Sequence, residues 1–188
     1  MQKVHEKEDY SSKELKNNMA FNNNRFGSQV PSEYTEEVVQ VNRVSKKTKG
    51  GNKANFQVLA VVGNKKGKVG AGHGKAADVP SAIRKAVTAA KKHLIDIPMV
   101  NGTIPFGVNV KRGAAKVMLK PAPKGSGIIA GGAIRSVVSA AGIENISSKV
   151  LGTNNKANNV YATIEALKLI AKLQEKRGLA REARANNK

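Results

Sequence analysis

From Glu36 to Leu94 the apolar positions first alternate with polar ones and then recur at helical spacing. Glu36 to Ser45 (EEVVQVNRVS) has strand character, with Val39, Val41 and Arg43 on one face. Asn55 to Val62 (NFQVLAVV) is the strongest strand signal, rich in valine and leucine. Between them, KKTKGGNK reads as a loop whose Gly50–Gly51 pair permits backbone conformations barred to other residues. Asn64-Lys65-Lys66-Gly67 reads as a turn, and Lys68 to His73 as a third strand thinned by Gly70, Gly72 and Gly74. Val79, Ala82, Ile83, Ala86, Val87, Ala90 and Leu94 then fall on one face of a helix. Asp78, just ahead, suits both the N-cap and the helix dipole, and Pro80 fits the first turn. The pattern predicts a β-β-β-α unit over residues 33–96.

Pro98, Asn101 and Gly102 punctuate the chain before a second unit, expected over residues 100–173. Phe106 to Lys111 and Ala115 to Lys120 read as strands joined at Arg112-Gly113. The loop PAPKGSGIIAGG leads to a helix with Ile134, Val137, Val138 and Ala141 on one face, closed by Gly142. Ile146 to Leu151 reads as another strand. A last helix, capped at Asn154 or Asn155, aligns Val160, Ile164, Leu167 and Ala171. The fold class is α+β, with β-β-α-β-α as a second small two-layer sandwich. Residues 174–188 read as a polar basic tail. Residues 1–32, with Asn17, Asn18, Asn22, Asn23 and Asn24 among few apolar residues, read as a disordered extension.

Charge changes the picture from fold to partner. The 188 residues hold 33 basic and 13 acidic side chains, a net charge of +20. Residues 1–32 carry five basic and four acidic residues, so almost the whole excess lies downstream. Between Val38 and Ala77 there is no acid, against Arg43, Lys46, Lys47, Lys49, Lys53, Lys65, Lys66, Lys68 and Lys75. A second acid-free stretch, Ile97 to Ile143, holds Lys111, Arg112, Lys116, Lys120, Lys124 and Arg135. A folded surface without internal counter-charge calls for an external polyanion, and nucleic acid phosphate is the usual one. Aromatics make up only 4% of the chain, so contact through phosphate and 2′-hydroxyl groups is expected rather than base stacking.

Other chemistries find little support. The absence of cysteine excludes disulfides, thiolate metal sites and cysteine nucleophiles. The longest uncharged run, Ile97 to Val110, is shorter than the ~20 residues of a membrane helix. The mixed-charge start MQKVHEKEDY lacks a signal-peptide core, so a soluble cytoplasmic protein is expected. Gly125-Ser126-Gly127-Ile128-Ile129-Ala130 satisfies G-x-G-x-x-[GA], with Glu144 near the spacing of a ribose-binding acid. A dinucleotide site there would have to open a much larger sheet, Glu144 precedes rather than ends the next strand, and Pro121 and Pro123 break the tight turn. Glycines that allow close packing are the preferred reading, with Lys124 and nearby helix amides able to hold a phosphate. GAGHGK lacks the hydroxyl residue of a P-loop, because Ala76 stands there. His5, His73 and His93 are scattered in the sequence. No enzyme, cofactor, metal or small-molecule substrate is expected. A nucleotide-dependent enzyme and a free-standing RNA or DNA chaperone remain as rivals.

VNRVSKKTKGG, VVGNKKGKVGAGHGKA, VPSAIRKA, GSGIIAGGAIRSVVSAAG and GTNNKANNVYATIEAL occur in that order. This series of blocks resembles the bacterial small-subunit ribosomal protein five family, over about Val38 to Leu173. Ala71 and His73 stand where the family commonly carries aromatics, and Lys156 where a helix-starting proline is common. The resemblance implies a first domain like the double-stranded-RNA-binding fold and a structural role in the small subunit. The partners it implies are small-subunit rRNA, ribosomal proteins four and eight, and messenger RNA where it enters the subunit. It places Val44, Lys49, Gly50 and Gly51 in a loop near the site of the antibiotic spectinomycin, and Arg43 near the messenger path. It turns the block with Gly127, Ile128 and Arg135 toward protein four. Arg43, Lys46, Lys47, Lys49, Gly50, Gly51, Lys53, Lys65, Lys66, Lys68, Lys75, Lys111, Arg112 and Lys124 are the expected RNA contacts.

Overall fold

The computed structural model describes residues 33–185, with side chains described as far as Arg177. The asparagine-rich segment 1–32 and His5 lie outside the described residues.

The first sheet has the order β1-β2-β3-β4, all antiparallel. Strand β1 spans Thr35–Thr48, β2 Gly51–Gly63, β3 Lys68–Ala76 and β4 Ile95–Asp96. The expected loop between β1 and β2 collapses to a tight turn. Pairing runs out to Thr48↔Gly51, and the Thr48 hydroxyl donates to the Gly51 carbonyl at 2.8 Å. Gly51 adopts φ +127°, a conformation that the tight turn assigns to glycine. The unit is therefore β-β-β-α-β, because Ile95–Asp96 returns to pair with Val69 and Lys68. Two residues are too few to leave a periodic signal in sequence.

Helix α1 (Val79–Lys92) lies on β3 at backbone contact distance. A Cβ at Gly74 would sit 2.1 Å from Ala82 O, and one at Gly72 2.4 Å from Ala90 N. The glycines that thin the strand are thus the surface on which Ala82, Ala86 and Ala90 rest. Val58, Ala60 and Val62 complete this small core. Each buried valine there contributes about 2 kcal/mol. Asp78 caps α1, its carboxylate accepting the Ser81 N–H at 3.0 Å. The Ser81 hydroxyl, and then its backbone N–H, hold the Asp78 carboxyl below the usual aspartate value. A native value below the unfolded one gives stability that is present above the ordinary aspartate titration and lost as pH falls through the native value. Melting temperature followed by circular dichroism is expected to drop on acidification below about pH 4, and Asp78→Asn is expected to flatten that part of the profile.

The second sheet has the order β5-β6-β8-β7. Its strands are β5 (Val108–Arg112), β6 (Ala115–Pro121), β7 (Ile128–Ile129) and β8 (Ile146–Val150). The loop expected between β6 and the next helix contains β7, which pairs in parallel with β8 through helix α2 (Gly132–Ala141). Helix α3 (Lys156–Ala185) starts at Asn155, whose side chain accepts the Ala157 N–H at 3.0 Å. It runs through the stretch expected to be a tail. Gln174 is half-buried and the Arg177 guanidinium lies 4.5 Å from the Phe106 ring centroid, so the helix still has packing partners there.

The two halves share one core. Leu59, Val61, Val69 and Ala71 of the first sheet join Ile134, Val137, Ala140, Val117, Leu119, Leu167 and Ile170. The joint between them is the turn Asn64–Gly67 plugged into the end of α2. Lys65 N donates to Ala140 O at 3.1 Å and Gly67 N to Ala141 O at 2.9 Å, satisfying carbonyls that a helix end leaves open. Gly63 and Gly142 make this approach possible, since a Cβ on either would sit 2.1 Å from a backbone oxygen, of Ala140 and Lys65 respectively.

Candidate nucleic-acid interface

The β1–β2 hairpin extends beyond the part of the sheet that the helices cover. Strand register sorts its cations by face. Lys46 and Lys53 are directly paired and share a face with Asn42, Asn55, Gln57 and Lys75, while Arg43 and Lys47 point to the opposite face. Lys49 and Gly50 form the tip, and Val44 sits half-buried five positions back. Two lysines directly opposite on adjacent strands repel and destabilise the isolated hairpin. Among the described residues none of Arg43, Lys46, Lys47, Lys49 and Lys53 forms an ion pair.

The acids are placed elsewhere. Glu36 meets Lys91 at 2.9 Å, Glu37 accepts the Ser136 hydroxyl at 2.5 Å, and Asp78 caps α1. Asp96 lies 3.6 Å from Lys68, and Glu165 3.0 Å from Arg112. Each of these carboxylates serves the fold, and the hairpin is left without counter-charge.

The turn lysines have a structural backbone and free side chains. Asn64 Oδ1 accepts the N–H groups of Lys66 at 2.8 Å and Lys68 at 3.0 Å, which holds Lys65 at φ +55°. Lys65 and Lys66 are exposed beside the C-terminus of α2, where positive charge complements the dipole.

On the second sheet, Val108, Val117, Leu119 and Ile146 face the core, so strand alternation turns Lys111, Lys116, Lys120 and Lys149 to the opposite, helix-free face. Lys111 and Lys116 are directly paired, a second opposed-lysine hairpin. Lys116, Lys120 and Lys149 were not among the expected contacts; the signal was present in the alternation of residues 115–121. Arg112, also expected on RNA, shares the side of β5 that carries Val110, with its side chain still 43% exposed. Its guanidinium lies 4.7 Å from the Tyr161 ring centroid and pairs with Glu165. Burial raises the Tyr161 hydroxyl above its usual value, with Arg112 pulling the other way.

The glycine loop is filled by its own chain. Asn145, 4% exposed, accepts the N–H of Gly125 at 2.9 Å and of Gly127 at 3.2 Å. These amides are the ones a dinucleotide phosphate would need. Close packing, the expected role of these glycines, is not what they do: an added Cβ meets nothing within 4 Å at either position. They are there for their backbone, at φ +91° and +67°. Lys124 is exposed on the same loop. GAGHGK is continuous strand beneath α1, with no loop to cradle a phosphate. Of the three residues expected to face a neighbouring protein, Ile128 and Arg135 line one cavity, and Gly127 is not among its lining residues. Ile128, Ile129, Ala130 and Arg135 line a shallow cavity of about 420 Å³ at the β7 edge, where Ile129 is 58% exposed. Among the described residues no cluster of three or more His, Asp or Glu could hold a metal, and no helix is long and apolar enough to cross a membrane.

The fold is that of a small two-sheet α+β protein with two opposed-lysine hairpins and a glycine loop whose amides are taken by Asn145. Comparison with known proteins gives the particular family. The model described as ribosomal protein S5, N-terminal domain, matches residues 34–98, and that described as ribosomal protein S5, C-terminal domain, matches residues 110–181. The small ribosomal subunit protein uS5 of Thermotoga maritima is 53% identical over 136 residues, covering 72% of this chain and 76% of that protein. Its counterpart in Thermotoga neapolitana is 49% identical over 165 residues, covering 81% and 93%. The chain belongs to the ribosomal protein S5 family, as the motif resemblance implied, and it is a structural protein rather than an enzyme.

Proposed function

We propose that this chain is a cytoplasmic structural constituent of the small ribosomal subunit, and that it holds small-subunit rRNA through its two opposed-lysine hairpins. The observation that carries the reading is the direct pairing of Lys46 with Lys53 and of Lys111 with Lys116. Such pairs are unfavourable in the free protein and become favourable when phosphate lies between them. The hairpin tip around Lys49 reaches furthest, with Arg43, Lys46, Lys47 and Lys53 behind it. Lys65, Lys66, Lys68, Lys75 and Lys124 add phosphate contacts from the flanks, and Lys111, Lys116, Lys120 and Lys149 form a second cationic face.

The chain divides functionally into a module at residues 33–96 that inserts into RNA and one at 100–173 that meets neighbouring proteins. The β7 edge with Gly127, Ile128 and Arg135 fits a contact with ribosomal protein four, while another surface meets protein eight. Arg43 and the tip with Val44, Lys49, Gly50 and Gly51 lie toward the messenger RNA path and the spectinomycin site. Through the rigid joint at Asn64–Gly67, displacement at the protein-four contact would reach the hairpin, and with it translational accuracy.

Sucrose-gradient sedimentation of a lysate tests the reading. The full chain is expected to migrate with small subunits and to be released by high salt. A chain that stays at the top of the gradient at physiological salt would be a free chaperone and not a subunit constituent.

A further inference from the structure

A polar cleft opens between the face of the first sheet opposite α1 and the start of α3. Its volume is about 460 Å³, and it is lined by Gln40, Asn42, Gln57, His73, Asn154 and Lys156 over an apolar floor at Leu59. No carboxylate lines it. The chain brings these residues from four separate segments, and none was among the expected contacts.

The amides are arranged to receive a ligand. Gln40 Nε2 donates to Asn42 Oδ1 at 2.9 Å, which leaves the Gln40 oxygen as an acceptor beside the Asn42 nitrogen as a donor. Gln57, opposite Asn42 on β2, has no side-chain partner among the described residues. A paired acceptor and donor is the pattern that matches a nucleobase edge. His73 forms the wall. Its ring centroid lies 5.5 Å from that of Tyr161, which Arg112 braces from the second sheet. Lys156 at the cleft and Lys75, opposite Gln57 on β3, bring positive charge to both rims.

We propose that this cleft holds one unpaired RNA nucleotide, its base edge against Gln40, Asn42 and Gln57, its ring against His73 and its phosphates toward Lys75 and Lys156. The inference rests on the rRNA-binding reading above and adds base recognition to what would otherwise be contact through charge. The volume lies at the lower end of the ~300–1,000 Å³ of small-molecule sites, which admits a nucleotide and excludes a paired helix. Absence of carboxylates and a planar wall favour a nucleotide over a peptide segment.

The test uses the full chain and small-subunit rRNA as the probe, with filter binding over a series of KCl concentrations and chemical probing of unpaired nucleotides. The Asn42→Ala/Gln57→Ala variant is expected to bind about tenfold or more weakly at fixed salt, in line with the ~1–3 kcal/mol of a bidentate base contact. The slope of log affinity against log salt is expected to stay unchanged, and one nucleotide protected by the wild type should become reactive. Gln57→Glu, close to isosteric, is expected to weaken binding at least as much; thermal melts confirm that both variants fold. Full affinity and an unchanged footprint in the variants, with salt-dependent wild-type binding, would overturn the cleft and leave the rRNA reading standing. A shallower slope would also overturn it, since the amides would then act through phosphate. A wild type that ignores rRNA at every salt concentration would remove the reading itself.

Discussion

Gly142→Ala is expected to lower the melting temperature by roughly 10 °C, the sum of two costs of about 3 kcal/mol together at ~2–4 °C per kcal/mol for a chain of this size. The first cost is conformational. Gly142 ends α2 at φ +88°, where its N–H bonds back to Val138 O and Ser139 O at 3.1 Å. An alanine there bears a left-handed penalty of about 1–2 kcal/mol. The second is steric. The new Cβ would lie 2.1, 2.4 and 2.8 Å from the O, C and Cα of Lys65, all backbone atoms that cannot rotate aside. The turn must therefore retreat from α2, and the bonds from Lys65 N and Gly67 N into the helix end go with it. Gly113→Ala is the control: φ is +56° but nothing lies within 4 Å of the added carbon. It should show the conformational cost alone, about 3 °C. Equal melting temperatures for the two variants would mean that the joint between the halves contributes nothing to stability.

Lys49→Glu/Lys53→Glu should reduce rRNA affinity by roughly two orders of magnitude at ~0.1 M salt, because losing two phosphate contacts removes about 1.8 from the log–log salt slope. The structure separates this effect from folding. Lys53→Glu places an acid directly opposite Lys46, so the free hairpin gains a favourable cross-strand pair in place of a repulsive one. The variant is thus expected to be as stable as the wild type, or more so, while binding worse. Reversal at Lys91 and Lys92 should leave affinity near wild type, though it costs stability, since Lys91 holds Glu36 at 2.9 Å. Filter binding and melting curves on the same samples read both quantities. If both pairs of reversals weakened binding equally, the hairpin would have no special standing among the lysines.

Most elements were legible because their signals are local. The valine- and leucine-rich run Asn55–Val62, the helical spacing from Val79, the Asp78 cap and the Gly142 stop each depend on a few adjacent residues, and the structure keeps them. Three features were not legible. Strands β4 and β7 have two residues each, too short for a period, and exist because a longer neighbour offers an open edge. The expected tail is helical to Ala185, in a segment too polar to advertise its packing; Gln174 is half-buried there and Arg177 lies over Phe106, far behind it in the chain. The role of Gly125 and Gly127 depends on Asn145, some twenty residues on, whose side chain occupies their amides.

The candidate interface divides in the same way. Charge density and the position of the basic hairpin follow from sequence alone, because acid-free stretches stay acid-free in any fold. Tertiary structure decided which lysines oppose one another, that Arg112 is occupied by Tyr161 and Glu165, and that Gln40, Gln57, His73 and Asn154 meet in one cleft. Strand register and helix docking made those choices. Both depend on contacts between residues far apart in the chain, where neither composition nor period carries information.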